Sequence, residues 1–427
     1  MKSVRMRRMT WLGALVVAWF HFPITGQDRT GEARWREIFE KADQNSDGKV
    51  SSKELENKGR RGNWIARADE DGDGLATWEE TQRFLQMSLG ISKNGEQGEK
   101  PQVLHGDWKP DARVSLSSVK AAAEYSADQG GHSFLLMIDG EIVFERYEPG
   151  RTPEDPHRLA SGTKSFSGVI LAAAVQDGLL TLDEKISKTL PEWKDDELLS
   201  RITFRQLLSL TSGIDPGRGG KVPSYRESVE TAAVSGPGER FRYGPQAFQV
   251  FGEVMRRKLE ASPEIEATDP LRYLESRVLE PVGMKVSSWR RDSDGMPQLP
   301  SGAFLTAREW AKFGEFLRNE GKWEGTQLID RETLRECLKG TKAKSTYGLT
   351  FWLLEQPRKA GVPVWGRGGY MAAGAGKQRL YVLPEKGIVV ARQGESVRFE
   401  NEKFLGLLLG TSQEIRKEKS LRGSDGF

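Results

Sequence analysis

The chain has 427 residues, 37% hydrophobic and 29% charged, with 12 Trp, 18 Phe and 8 Tyr. That is an ordinary globular profile, too aromatic for wholesale disorder and long enough for two or three domains of about 150 residues each. The net charge is +3, but Lys2, Arg5, Arg7 and Arg8 supply four positive charges, so the remainder nets −1 and lacks the basic surface that nucleic-acid binding needs. The single cysteine, Cys337, excludes an intramolecular disulfide and any multi-cysteine metal site. On a predicted helix it reads as a packed thiol.

The N-terminus carries a basic stretch, Lys2 to Arg8, then an apolar run from Trp11 to Phe20, then Pro23. Ten residues rise about 15 Å as a helix, half of a hydrocarbon core. Residues 1–27 are therefore expected to be a signal peptide, retention as an anchor being the alternative. The mature protein is expected to be secreted or periplasmic, with no membrane span after signal cleavage.

Two twelve-residue segments follow within residues 28–92. The first offers Asp43, Asn45, Asp47, Lys49, Ser51 and Glu54. The second offers Asp69, Asp71, Asp73, Leu75, Thr77 and Glu80. Oxygens at positions 1, 3 and 5 converge on a cation and Gly48 or Gly74 at position 6 permits the sharp turn. Position 7 gives its carbonyl, position 9 acts through water and Glu at 12 binds with both oxygens. Ile38, Phe39 and Ala42 precede the first loop, and Trp64, Ile65 and Ala68 the second, at helical spacing. These segments resemble EF-hands, which implies a small all-α pair holding two calcium ions. Residues 93–110, polar with Gly95, Gly98, Pro101 and Pro110, read as a linker.

In 111–410 a helix is expected at about 115–128. Strands are expected at 132–138 and 141–147, joined by an Asp139-Gly140 hairpin. Further strands are expected at 347–354, 379–383 and 387–392, then a helix at 403–409. The roughly 190 residues between read as mostly helical. Strands at both ends imply an α+β fold, with one antiparallel sheet closed by both termini and carrying a helical subdomain. Residues 411–427 read as a polar tail.

Ser-x-x-Lys is the route to a nucleophile, because on a helix the two side chains share a face. A Lys desolvated beneath a pocket can lose its proton and act as a base. The spacing occurs at Ser46, Ser117 and Ser161, but only Ser161-Gly-Thr-Lys164 opens an apolar helix, Phe166 to Val175. Helix-start amides there favour an oxyanion. Spacing alone leaves open a capping Ser161 with a surface Lys164. A Ser-His arrangement with His157 is the other route.

The run Arg158-Leu-Ala-Ser-Gly-Thr-Lys-Ser-Phe-Ser-Gly-Val-Ile170 resembles the active-site segment of the serine β-lactamase-like family. That family includes class C β-lactamases, DD-peptidases, esterases and 6-aminohexanoate-dimer hydrolases. Gly178 to Asp183, Leu190 to Trp193 and Ile202 to Ile214 follow in its order. The resemblance spans about 111–410 and implies a β-lactamase/transpeptidase-like fold. It makes Ser161 the nucleophile and Lys164 a base. Tyr243, in Phe241-Arg-Tyr-Gly-Pro-Gln246, becomes a proton relay whose pKa a nearby Lys would lower. Pro245 stands where the family has Asn, and Lys-Thr-Gly is missing. Gly374-Ala375-Gly376, followed by Lys377 and Gln378, resembles the shorter Gly-rich strand of the aminohexanoate-hydrolase branch, which lines the site and donates to the oxyanion. Arg367-Gly-Gly369 is a second placement. Tyr347 to Trp352 resembles the same branch and is expected to pack the sheet.

The resulting expectation is a serine hydrolase acting on a carboxylic ester or small amide, needing no cofactor for that chemistry. The alternative is a silent scaffold of the same fold that binds a cell-wall or matrix partner with calcium.

Overall fold

The computed structural model describes residues 30–51, 54, 68, 75–82, 102–104, 111–217, 221–355, 358–359, 362–396 and 398–411. The expected leader, Trp64 and Ile65, most of the expected linker and all but the first residue of the tail lie outside the described residues. The chain divides into two compact units, Met1–Glu99 and Lys100–Phe427.

In the first unit, helix Thr30–Ala42 turns Phe39 and Ala42 inward, with Ala68, Val50 and Ala76 completing a small core. Ile38 stays 38% exposed. Strands Lys49–Ser51 and Leu75–Thr77 pair antiparallel with Val50 opposite Ala76. These are the eighth positions of the two expected calcium loops, so the pairing joins the loops through their apolar residues.

The second unit is built on a seven-stranded antiparallel sheet. Its strands are β1 (Gln102–Leu104), β2 (Gly131–Ile138), β3 (Glu141–Tyr147), β4 (Trp352–Leu353), β5 (Tyr370–Gly374), β6 (Gln378–Leu383) and β7 (Ile388–Gly394), in spatial order β4-β5-β6-β7-β2-β3-β1. Strands from the early and late parts of the second unit meet where β7 pairs with β2, Val389 opposite Met137. Asp139 and Gly140 both have positive φ, 49° and 89°, as a two-residue hairpin turn requires. β1 extends the sheet into residues that composition places in the linker.

The central strands alternate between two cores. Leu135, Met137, Leu380, Val382, Val389 and Ala391 face one side, toward helices α2 (Lys164–Gln176) and α4 (Ala307–Arg318). Phe134, Leu136, Tyr381, Leu383, Ile388 and Val390 face the other, beneath α1 (Leu116–Asp128) and α5 (Asn401–Leu408). Burial on both faces explains why these strands read as continuous apolar runs.

The 148–346 region is less helical than its sequence suggests. Among the described residues, only α2, α3 (Gln246–Glu260), α4 and the run 270–282, α-helical at its ends and π-helical in its middle, exceed eight residues there. Short helices, 3₁₀ turns and a three-stranded sheet of His157–Arg158, Ala303–Leu305 and Ser288–Trp289 make up much of the rest. The expected strand at 347–354 contracts to β4, because Gly348 N–H donates to Phe351 O (2.9 Å) in a tight loop and Thr350 adopts φ +78°.

Candidate active site

Ser161 lies in a 3₁₀ turn, Ala160–Thr163, that runs directly into α2. The turn is pinned on several sides. Leu159 N–H donates to Ala303 O at 2.9 Å, and Thr163 Oγ1 donates to Ala160 O at 2.7 Å. Gly162 packs on Trp310, so closely that a Cβ there would lie 3.0 Å from Trp310 Cζ2. Ala160, just before the nucleophile candidate, has φ +47°, a left-handed conformation uncommon outside glycine.

The capping alternative does not survive this geometry. Lys164 is 4% exposed, and its Nζ donates to Ser161 Oγ at 3.2 Å and to Pro300 O at 2.9 Å. The rings of Tyr243 and Phe248 each lie 5.1 Å from the amine. Desolvation lowers the Lys164 pKa to about 7, so much of the amine is neutral at neutral pH. Pro300 and Phe248 carry no catalytic signature and reach the site only through folding.

Tyr243 precedes α3, with Pro245 as the helix cap. Gly244 is required, because a Cβ there would fall 1.9 Å from Pro216 O. The Tyr243 ring is 40% exposed while its hydroxyl reaches Ser161. Burial raises the phenol pKa, and the Ser161 hydrogen bond and the Arg379 charge offset this only in part. The expectation of a lowered phenol is therefore corrected. Lys164 sits over the ring face, and its amine, losing its charge near neutral pH, gives a phenolate little support. A phenol raised in this way holds its proton more tightly than a free tyrosine, while the buried Lys164 amine gives its proton up more readily than a free lysine. Gln246, beside Pro245, is buried and donates Nε2–H to Ser228 O (2.9 Å), so it does not replace the missing Asn.

β4 pairs with Tyr370 and Met371, so among the described residues Ala372 to Gly374 have no strand partner on that side of β5. This stretch packs on the Ser161 turn. A Cβ on Gly374 would lie 2.0 Å from Leu159 O and 3.1 Å from Gly162 N. Gly374 thus lies against the nucleophile turn. Ala375 and Gly376, the latter with φ +74°, form the turn to β6. Arg367 is exposed at the other end of β5, its amide bonded to the Glu385 carboxylate. Gln378, expected to face substrate, instead spends its side-chain amide on Gly394, donating to its O and accepting from its N–H at 3.0 Å. It clamps β6 to β7.

His157 is excluded as a base for Ser161. Its Nε2 meets His132 Nδ1 at 3.2 Å and its Nδ1 meets Arg158 O at 3.0 Å. Cys337 is buried, and burial pushes its pKa up to about 12, consistent with a packed thiol.

In the expected first calcium loop the side-chain oxygens are taken up by the loop's own donors. Asp43 accepts from the amides of Asp47 (3.2 Å) and Gly48 (2.9 Å), and Asp47 from that of Lys49 (2.8 Å). Glu54 accepts from Ser51 N–H at 2.8 Å and Ser51 Oγ–H at 2.7 Å, bonds that hold its carboxyl below the usual range. Gly48 has φ +82°. The residue types and the turn are those of a calcium-binding loop, although among the described residues no three His, Cys, Asp or Glu side chains come together as a metal site. Asp69, Asp71 and Asp73 of the second loop lie outside the described residues. Leu75 and Thr77 lie in the pairing strand, and Glu80 accepts from Thr77 N–H at 2.9 Å.

Known proteins share this fold and part of this sequence. A 6-aminohexanoate-dimer hydrolase, so named provisionally, from Bacillus anthracis superposes with a TM-score of 0.56 at 18% identity, covering 70% of this chain and 82% of its own. A penicillin-binding protein homologue from Caulobacter crescentus gives 0.55 at 15% identity, covering 70% and 98%. Protein flp of Staphylococcus aureus is 28% identical over 200 residues, 42% of this chain and 39% of its own length. The chain thus spans about two fifths of the length of that relative. The EF-hand profile matches residues 36–57, the first calcium loop. The β-lactamase profile matches residues 119–393, from α1 through β7 and so across every element of the Ser161 site. The chain belongs to the β-lactamase family of serine hydrolases.

Proposed function

We propose that this protein is an exported hydrolase of carboxylic esters or small amides that works through an acyl-enzyme on Ser161. The observation that carries the reading is the buried Lys164 amine, 3.2 Å from Ser161 Oγ and with a pKa near 7. A neutral amine in that place is a base aimed at the hydroxyl.

Ser161 Oγ bonds to the substrate carbonyl carbon as its proton moves to Lys164 Nζ. The carbonyl oxygen becomes an oxyanion held by the Ser161 amide and an amide of the 372–375 edge. As the carbon–leaving-group bond breaks, Tyr243 Oη gives its proton to the departing oxygen or nitrogen. Lys164 then reprotonates Tyr243. Water, deprotonated by the same pair, attacks the ester carbonyl and returns Ser161 and a carboxylic acid. Pro245 and the absent Lys-Thr-Gly remove two donors that a β-lactam or peptide would use, which favours esters. The leader composition supports export. In the first unit, Asp43, Asn45, Asp47, the Lys49 carbonyl, Ser51 through water and Glu54 would hold calcium, with a second ion at the 69–80 loop. Calcium bound there would stiffen the unit, and no step at Ser161 draws on it.

The test is turnover of a short-chain ester by the wild type, Ser161→Ala and Lys164→Met, with mass spectrometry of the quenched reaction. The reading expects an acyl adduct on wild type and none on Ser161→Ala. Ester turnover that persists in Ser161→Ala would overturn it.

A further inference from the structure

Four rings gather beside Ser161 from two stretches of chain about a hundred residues apart. Tyr347 and Trp352 lie 4.9 Å apart between ring centres, Phe241 and Tyr347 5.2 Å, Tyr243 and Trp352 5.8 Å, and Phe241 and Trp352 6.2 Å. The cluster has an inside and an outside. Tyr347 is fully buried, Phe241 and Trp352 are half-buried and Tyr243 is 40% exposed. Among the described residues, Tyr243 is the only aromatic side chain among the exposed large apolar ones.

This surface is held in place. Leu353 N–H donates to Thr346 O at 2.9 Å, closing the loop that carries Tyr347 and Trp352. Thr350, within that loop, is β-branched yet has φ +78°, a conformation that costs backbone energy and persists where the surroundings impose it. Its carbonyl accepts from Ser165 Oγ–H at 3.1 Å, and Ser165 follows Lys164. The ring loop is therefore tied to the helix that carries the base.

The position of Tyr243 assigns the surface to one part of the substrate. The departing oxygen must sit within hydrogen-bond reach of Tyr243 Oη to take its proton. The carbon attached to that oxygen then lies against the neighbouring rings. We propose that Phe241, Tyr243 and Trp352, backed by Tyr347, receive a flat aromatic leaving group, so that the preferred substrates are esters of arylmethyl-type alcohols. This rests on the acyl-enzyme reading above. Rings stack edge-to-face or offset on one another with a gain beyond area burial, and a saturated ring of similar size lacks it.

Benzyl acetate and cyclohexylmethyl acetate make the test, since they give the same acetyl-enzyme and differ only in the leaving ring. The wild type is expected to show a kcat/KM about fivefold higher for the benzyl ester. Trp352→Leu should bring the ratio to about one, and Phe241→Leu should lower it in the same direction if the first variant folds poorly by circular dichroism. A wild-type ratio near one, or a ratio unchanged in a folded Trp352→Leu, would overturn the proposal. So would failure to cleave either ester by protein that still reacts with a fluorophosphonate at Ser161. No reaction at Ser161 at all would instead overturn the acyl-enzyme reading itself.

Discussion

In the first calcium loop every expected ligand comes from twelve consecutive residues, and the bonds that shape the loop span at most ten positions, from Gln44 to Glu54. Around Ser161 the groups that matter are remote. Lys164 is bonded to Pro300, 136 positions away, and Gly374 packs on Leu159 from the far end of the chain. A local site depends on spacing and turn geometry, so it tolerates changes elsewhere. An assembled site depends on a whole core, and its chemistry comes from burial. The Lys164 amine gives up its proton near neutrality because the fold removes water from it.

Breaking the assembled site gives the largest effects. Ser161→Ala should lower ester kcat/KM by at least about a thousandfold, and Tyr243→Phe by about a hundredfold or more through loss of the proton donor. Gly374→Ala probes assembly alone. The new Cβ would fall 2.0 Å from Leu159 O and displace the nucleophile turn. Steady-state kinetics should then show a loss of about a hundredfold with the fold intact by circular dichroism.

The pH profile sharpens the contrast, because the proposed chemistry at Ser161 turns on the charge of one buried amine. Protonated Lys164 cannot accept the Ser161 proton. Activity should therefore fall about tenfold per pH unit below the folded pKa of about 7. The stability effect has a defined sign. The unfolded amine keeps its proton up to its ordinary 10.5, while the folded amine loses it near 7. Between those values the unfolded state binds more protons, so stability rises with pH. At pH 7 and below, the folded protein carries the full burial cost. Lys164→Met should remove activity yet raise the melting midpoint by about 2–5 °C, and most clearly in that acidic range.

Changes in the calcium loop should be silent in the ester assay. Glu54→Gln should weaken calcium binding about tenfold or more by calorimetry, with ester turnover within about twofold of wild type. A larger effect on turnover would show that the two units communicate. The smallest effect is expected at Tyr347→Phe. The Tyr347 hydroxyl is buried with no hydrogen-bond partner among the described residues. Removing it should leave the melting midpoint unchanged or slightly higher.

The same contrast explains what could be read from residues alone. The hairpin at Asp139-Gly140, the terminal helices and the apolar strands follow from local pattern, and so does the loop from Asp43 to Glu54. The Ser161–Lys164 pair was legible because its spacing is helical. The apolar helix that it opens separated it from the same spacing at Ser46 and Ser117, and the resemblance then made it a nucleophile rather than a cap. The Tyr243 pKa was not legible, since its direction depends on how desolvation compares with a neighbouring amine of uncertain charge. Gln378 looked like a substrate contact because nothing local shows Gly394 beside it. Tyr347 and Trp352 read as sheet packing, and Tyr347 is indeed fully buried while Trp352 pairs with Met371 in the sheet; the loop between them, with β-branched Thr350 at positive φ, is not predictable from Tyr-Gly-Leu-Thr-Phe-Trp.

The most direct measurement is reaction of the purified protein with a fluorophosphonate, followed by peptide mapping, beside Ser161→Ala. The account predicts one modified peptide, carrying the phosphonyl group on Ser161, a labelling rate that rises with pH through about 7, and no labelling of the variant. A folded wild type that fails to label, or a label on another residue that persists in Ser161→Ala, would contradict it.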